Sequence, residues 1–313
     1  MNLLQPRLQA VLTLEDFVTN EWMPVVLPTL KHSTAMQYGF ICKSHVLREL
    51  GQLRICDLSR ECLQAFLSAK VRAGLSWETI AHIRNVANKI LDSAVEWGYA
   101  STNVARLTKL PRRPPRKPRP FLTRDQINKL LCELREPVRT IALLLVVTGV
   151  RIGEILALRW GRVDLENGIL QVREAVYDGH FGTPKTSSSV ADLPLGPEML
   201  AALKRHRQRI ESWPHPEELV FSNRSGGSLN PKNLLRRVLY PACEKAGVPR
   251  ISWHALRHSH ATLLAAQGES PKLIQAQLRH SSVQLALQLY THPMPGFQRE
   301  AVERLERNLL AEK

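Results

Sequence analysis

No apolar run in this chain of 313 residues is long enough to cross a membrane. The longest, Ile141 to Val147, has seven residues, against the roughly 20 that a spanning helix needs, and reads as part of a buried helix. The amino terminus, with Glu15 and Asp16 close by, lacks the basic-then-apolar pattern of a secretion signal, so export is not expected. Cysteine is sparse: Cys42, Cys56, Cys62, Cys132 and Cys243 are odd in number, widely spaced and without a C-x-x-C pair. That excludes a disulfide framework and suits ordinary thiols in a reducing cytoplasm. Acid is also in deficit, with 28 Asp and Glu against 43 Lys and Arg and a net charge of +15. Such an excess favours a polyanionic partner, DNA or RNA before an acidic membrane surface.

What is present divides the chain in two, as its length suggests. Residues 1–110 carry a net +3, residues 121–313 a net +7, and the ten residues between them a net +5. That tract, Pro111 to Pro120, contains only proline and the cations Arg112, Arg113, Arg116, Lys117 and Arg119. It cannot form a helix and should run extended. A plain spacer has little use for five cations, whereas a strap along a phosphate backbone does.

Before the tract the pattern is helical. Thr13 is placed to cap a first helix through Leu14 and Phe17, a second spans about Ser33 to Leu50, and a third runs from Ser59 to Gly74. Ser76 caps a fourth, whose stripe of Ile80, Ile83, Val86, Ala87, Ile90, Leu91, Ala94 and Val95 recurs at intervals of three and four. The expectation is a small four-helix bundle.

After the tract, Thr123 and Gln126 form a capping box, and the helix around Leu144 ends near Gly149. Arg151 follows at a helix-to-helix turn, with Glu154 three residues on and able to hold its guanidinium. Strands are expected at Val163 to Leu165 and Ile169 to Val172, around a tight Asn167-Gly168 hairpin, and again at Val190 to Leu195 after Lys185. Trp253 to Gln267 reads as one helix on which His254 and Arg257 share a face and could approach one phosphate together. His258 stands four residues from His254, a zinc-ligand spacing, but Ala255 occupies the place of the H-E-x-x-H glutamate and no acidic cluster offers a third ligand. His260 reads as a packing residue. No metal and no cofactor are expected. The last helix, Arg299 to Leu310, carries Val302, Leu305 and Leu309 on one face, which could dock on a second copy or fold back.

Taken together, Arg151, Lys185, His254, Arg257, His280 and Tyr290 supply three cations, two imidazoles and a phenol, the equipment for attacking a phosphodiester with a side-chain oxygen and no metal. Their settings are Thr148-Gly149-Val150-Arg151-Ile152-Gly153-Glu154, Thr183-Pro184-Lys185-Thr186, His254-Ala255-Leu256-Arg257-His258, Leu278-Arg279-His280 and Tyr290-Thr291-His292. In these motifs the chain resembles the tyrosine recombinases, or phage integrase family, firmly over about the last 190 residues and loosely before them.

The resemblance implies a mainly α fold with a small antiparallel β-sheet in a catalytic domain at 121–313, preceded by a helical core-DNA-binding domain at 1–110 that clamps the opposite face of the DNA. It also implies a site-specific recombinase acting on double-stranded DNA with specific core sites. Tyr290 would be the nucleophile, Lys185 would protonate the leaving oxygen, His280 would hydrogen-bond the scissile phosphate, Arg151 and Arg257 would hold its oxygens, and His254 would act as general acid and base. Exchange between strands needs several active sites on paired DNA, so a tetramer on two duplexes is expected, with room for accessory DNA-bending proteins. The short stretch before the first helix leaves little for a separate arm-site-binding domain. Three departures from the family pattern stand out: Arg279 occupies a usual glycine position, Leu285-Ala286 replaces a common Thr-Thr pair, and Val190 and Ala191 fill a region that often holds an arginine. A type IB topoisomerase, a regulator without catalysis and a zinc hydrolase remain alternatives at this level.

Overall fold

The computed structural model describes residues 12–115, 120–184, 189–210, 214–279 and 297–310. The chain divides into two compact units, Met1–Lys117 and Pro118–Lys313.

The first unit is helical. Its α1 occupies residues 14–26 and α2 residues 32–50, each widened to π-type hydrogen bonding in mid-course, at Phe17–Trp22 and Cys42–Val46. α3 (Arg60–Arg72) and α4 (Trp77–Glu96) complete the bundle. The starts are set by local chemistry: Thr13, Ser59 and Ser76 each accept a backbone N–H of the first turn. The α4 stripe, apart from the half-buried Val95, is buried among Phe17, Trp22, Val46, Leu63 and Leu67, and the Trp22 indole donates to Ser93 Oγ at 3.1 Å inside that core. Beyond the bundle the chain stays fastened to it. Gln64 exchanges two hydrogen bonds with the Lys109 backbone, Trp77 Nε1 donates to Pro111 O at 2.9 Å, and the Arg113 guanidinium lies 4.5 Å from the Trp77 ring centre and 3.3 Å from Glu78. Lys109 is thus tied to α3, and the first residues of the basic tract lie on α4 rather than running free.

The second unit holds α5 (Arg124–Glu133), α6 (Val138–Thr148) and the short α7 (Ile152–Ile155). Among the described residues five strands follow: β1 (Val163–Asp164), β2 (Ile169–Val172), β3 (Ala175–Tyr177), β4 (His180–Gly182) and β5 (Ala191–Pro194). Next come α8 (Pro197–Gln208), α9 (residues 231–245), α10 (Trp253–Ala266), α11 (Pro271–Leu278) and α12 (Phe297–Leu310). The fold is mainly α with small antiparallel sheets. β2 lies between β1 and β5, with Leu170 opposite both Val163 and Leu193, so one face of the sheet joins the core formed with α6 and α10.

One strand expectation needs correction, and one hairpin is not anticipated. Asn167-Gly168 does not make a two-residue turn: Asp164 pairs with Ile169, leaving four residues in the loop. The Asp164 side chain accepts the N–H groups of Glu166 and Asn167 and so stabilises the wider turn. β3 and β4 form a second hairpin that the hydrophobic pattern does not announce, closed by Asp178 and Gly179, both with positive φ.

Candidate functional site

The site begins where α6 stops. Gly149 takes a left-handed φ of +65°, and a Cβ there would lie 2.7 Å from His260 Cδ2 and 2.9 Å from Leu278 Cδ2. Glycine is thus required twice over, by the backbone and by the close approach of α10 and α11. The freed α6 carbonyls find partners across the unit: Val146 O accepts from His260 Nδ1 at 2.7 Å, and Gly149 O accepts from Arg257 Nη1. Since a carbonyl can only accept, His260 carries its hydrogen on Nδ1. Burial holds this imidazole far below its ordinary range, at about 4, so it is neutral at physiological pH.

Arg151 is the residue before α7. Its backbone N–H donates to Glu154 Oε2 at 3.0 Å and its Nη1 donates to Glu154 Oε1 at 2.8 Å. The Glu154 side chain is 1 % exposed, whereas Arg151 keeps 28 % of its side-chain surface open. Arg279 Nη2 reaches the same carboxylate, donating to Oε2 at 2.8 Å, and Arg279 Nη1 donates to Ser189 O at 3.0 Å. Ser189, buried just ahead of β5, also accepts from Arg151 Nη1 on its hydroxyl at 2.9 Å. Arg257 is 2 % exposed and clasps two helix ends, donating to Gly149 O and Leu278 O, where the helix dipoles present partial negative charge.

Three guanidiniums thus gather around one buried carboxylate, leaving two positive charges in excess among the described residues. The strain is electrostatic. Burial, with Arg151 and Arg279 as neighbouring cations, lowers Arg257 to about 9, still protonated at neutral pH. Burial also lowers Arg279, and Glu154 opposes that shift. A cluster of this sign is poised for an anion, and forked guanidiniums suit phosphate oxygens. Alongside Glu154 opens a groove of about 450 Å³, lined also by Arg159, Arg162, Arg173, Phe181 and Thr183.

The sequence profile of the phage integrase family matches residues 120–296, more than half of the chain. The chain belongs to that family. As a tyrosine recombinase it is a site-specific DNA strand-cleaving and rejoining enzyme. A tyrosine recombinase XerC-like protein of Caldanaerobacter subterraneus subsp. tengcongensis is 26% identical, the match covering 94% of this chain and 82% of that protein. In fold it is similar to the Tn1549 transposon integrase solved with transposon right end DNA, with a TM-score of 0.75 at 21% identity over 94% of this chain and 100% of that one. It is likewise similar to a lambda integrase tetramer bound to a Holliday junction, with a TM-score of 0.71 at 20% identity over 88% of this chain and 80% of that one.

Of the residues that the recombinase motifs single out, the structure brings together Arg151, Glu154 and Arg257. His254 lies exposed on the first turn of α10, one turn from the buried Arg257, so the two do not present a common open face. Lys185, His280 and Tyr290 lie outside the described residues, as do Arg116, Lys117 and Arg119 of the basic tract. Lys185 directly follows Pro184, and His280 directly follows Arg279. His258 packs against the Phe121 ring, with centroids 6.5 Å apart. Among the described residues no group of three His, Cys, Asp or Glu side chains is placed to hold a metal ion, and no helix is long and apolar enough to cross a membrane. Ser189 belongs to the cluster but to none of the sequence motifs, whereas Arg279 stands inside one of them, at a usual glycine position, without a site role there. The available signal was a cation at a helix end where the chain must turn left-handed, a position at which an L side chain needs a reason to be kept.

Proposed function

We propose that this recombinase cleaves and rejoins DNA by transesterification at a site built from Arg151, Lys185, His254, Arg257, His280 and Tyr290, with Glu154 in support. The observation that carries the reading is the excess of two positive charges around the buried Glu154 carboxylate. A phosphodiester has one negative charge and its five-coordinate transition state gathers a second, so the cluster matches the transition state better than the ground state. In the proposed step the Tyr290 phenolic oxygen attacks phosphorus and gives its proton to His254. The bond from phosphorus to the 5′-oxygen breaks, Lys185 protonates that oxygen, and a 3′-phosphotyrosyl link remains beside a free 5′-hydroxyl. A phenol with a reference pKa of about 10 needs such a base and cationic field to act near neutrality. Attack by a 5′-hydroxyl from a partner duplex reverses the step. The bond energy stays in the covalent link, so the reaction needs no nucleotide cofactor.

The same reading makes residues 1–110 the core-DNA-binding half of a clamp, 111–120 a basic strap and 121–313 the catalytic half, acting in the cytoplasm as a tetramer on two duplexes. The exposed stripe of Val302, Leu305 and Leu309 on α12 supports a contact between copies. The test starts with a pool of randomised duplexes. Those retained by Tyr290→Phe protein are sequenced and remade with a nick that lets the cleaved end diffuse away. Wild-type protein is expected to become trapped as a denaturant-resistant adduct, and Tyr290→Phe is not. An untrapped wild type, or a trapped Phe variant, overturns the assignment.

A further inference from the structure

The geometry points to Arg279 as a positioning residue for strand cleavage, holding Glu154, and through it Arg151, in register with the segments that carry Lys185 and His280. This rests on the transesterification site proposed above. Arg279 ends α11 with φ +54°, a left-handed conformation that side chains other than glycine rarely adopt. Its side chain is not spread on the surface but is 3 % exposed. There its fork closes a ring of four groups. Arg279 Nη2 donates to Glu154 Oε2 (2.8 Å), Arg151 Nη1 donates to Glu154 Oε1 (2.8 Å) and to Ser189 Oγ (2.9 Å), and Arg279 Nη1 donates to Ser189 O (3.0 Å).

The ring joins three stretches of chain that are remote in sequence. One begins α7 and carries Arg151. The second leads into β5 four residues after Lys185. The third ends α11 immediately before His280. A lysine could meet the carboxylate or the Ser189 carbonyl, but its single ammonium lacks the planar fork that spans both. Burial and the engagement of both terminal nitrogens within the ring argue against direct contact with DNA, so Arg279 acts through its partners.

The experiment uses the full chain and the nicked duplex selected with the Tyr290→Phe protein. Arg279→Gly removes the fork while relieving the backbone. It is expected to slow adduct formation at saturating duplex by about tenfold to a hundredfold, with the duplex Kd changed by less than about twofold. Arg279→Lys, which keeps the charge, is expected to recover only part of that loss, and it carries the test if the Gly variant does not fold. In a Glu154→Gln background, Arg279→Gly is expected to add less than about threefold, because the two residues act as one unit. Cleavage by Arg279→Gly or Arg279→Lys at the wild-type rate overturns the inference. So does a loss that appears only in Kd, or one that multiplies in full with that of Glu154→Gln. If wild type itself forms no adduct, the site assignment falls and takes this inference with it; if wild type reacts and the variants match it, this inference alone fails.

Discussion

A buried side chain that must stay neutral makes stability depend on pH in a direction that can be worked out. His260 titrates at about 4 in the folded chain against an ordinary 6.5. Between those values the unfolded chain binds a proton that the folded chain refuses. The His260 contribution is therefore complete above pH 6.5 and is lost as the pH falls toward 4, a loss of about 3 kcal/mol at the lower end. Urea unfolding of the full chain at pH 7 and pH 4.5 should show this drop in wild type, and a smaller one in His260→Gln, which keeps a donor for Val146 O. Gly149 gives a second residue-scale expectation. In Gly149→Ala a methyl would meet the His260 ring at 2.7 Å with the backbone held at φ +65°, so about 2–4 kcal/mol of stability should be lost in the same assay. Neither effect is visible from residue identity alone. The sequence shows a glycine after a helix, but the imidazole that excludes a methyl comes from another helix, more than a hundred residues later.

At the scale of elements, legibility follows how local the determining chemistry is. The helix starts at Thr13, Ser59, Ser76, Thr123, Ser252 and Ser270 can be read directly, because each cap accepts an N–H within three residues. The β3–β4 hairpin is harder. Its strands have three residues each and β4 is exposed throughout, so no alternation betrays it, and only the Asp178-Gly179 pair signals a turn. That hairpin matters because Gly153, inside the Arg151 motif, lets it approach: a Cβ on Gly153 would lie 2.7 Å from Val176 O on β3. Gly153→Ala must push α7 and β3 apart, displacing Arg151 and Glu154 at the head of α7. We expect adduct formation on the nicked duplex to slow by about tenfold, with a stability loss of about 1–3 kcal/mol. A variant that loses stability but cleaves at the wild-type rate would show that α7 does not transmit the shift to Arg151.

Across the whole molecule, the candidate site depends on two pairings that no local pattern contains: Arg257 meets Gly149 from 108 residues away and Arg279 meets Glu154 from 125. The Arg151–Glu154 pair, three residues apart, could be foreseen; the other two could not, because their geometry exists only after α6, α10 and α11 pack. The basic tract is the opposite case, plain in composition yet divided by structure. Arg113 is already committed to Trp77 and Glu78, so its transfer to a phosphate must first break that stack and ion pair, whatever the DNA sequence. If the strap reading is right, replacing Arg116, Lys117 and Arg119 together with glutamine should weaken binding to every duplex alike. It should also reduce the slope of log affinity against log salt by about 0.9 for each phosphate that the tract no longer neutralises. Arg113→Gln should change the slope by less than a third of that total. Fluorescence anisotropy across a salt series measures both, and a slope unchanged by the triple substitution would make the tract a spacer whose cations serve something other than DNA.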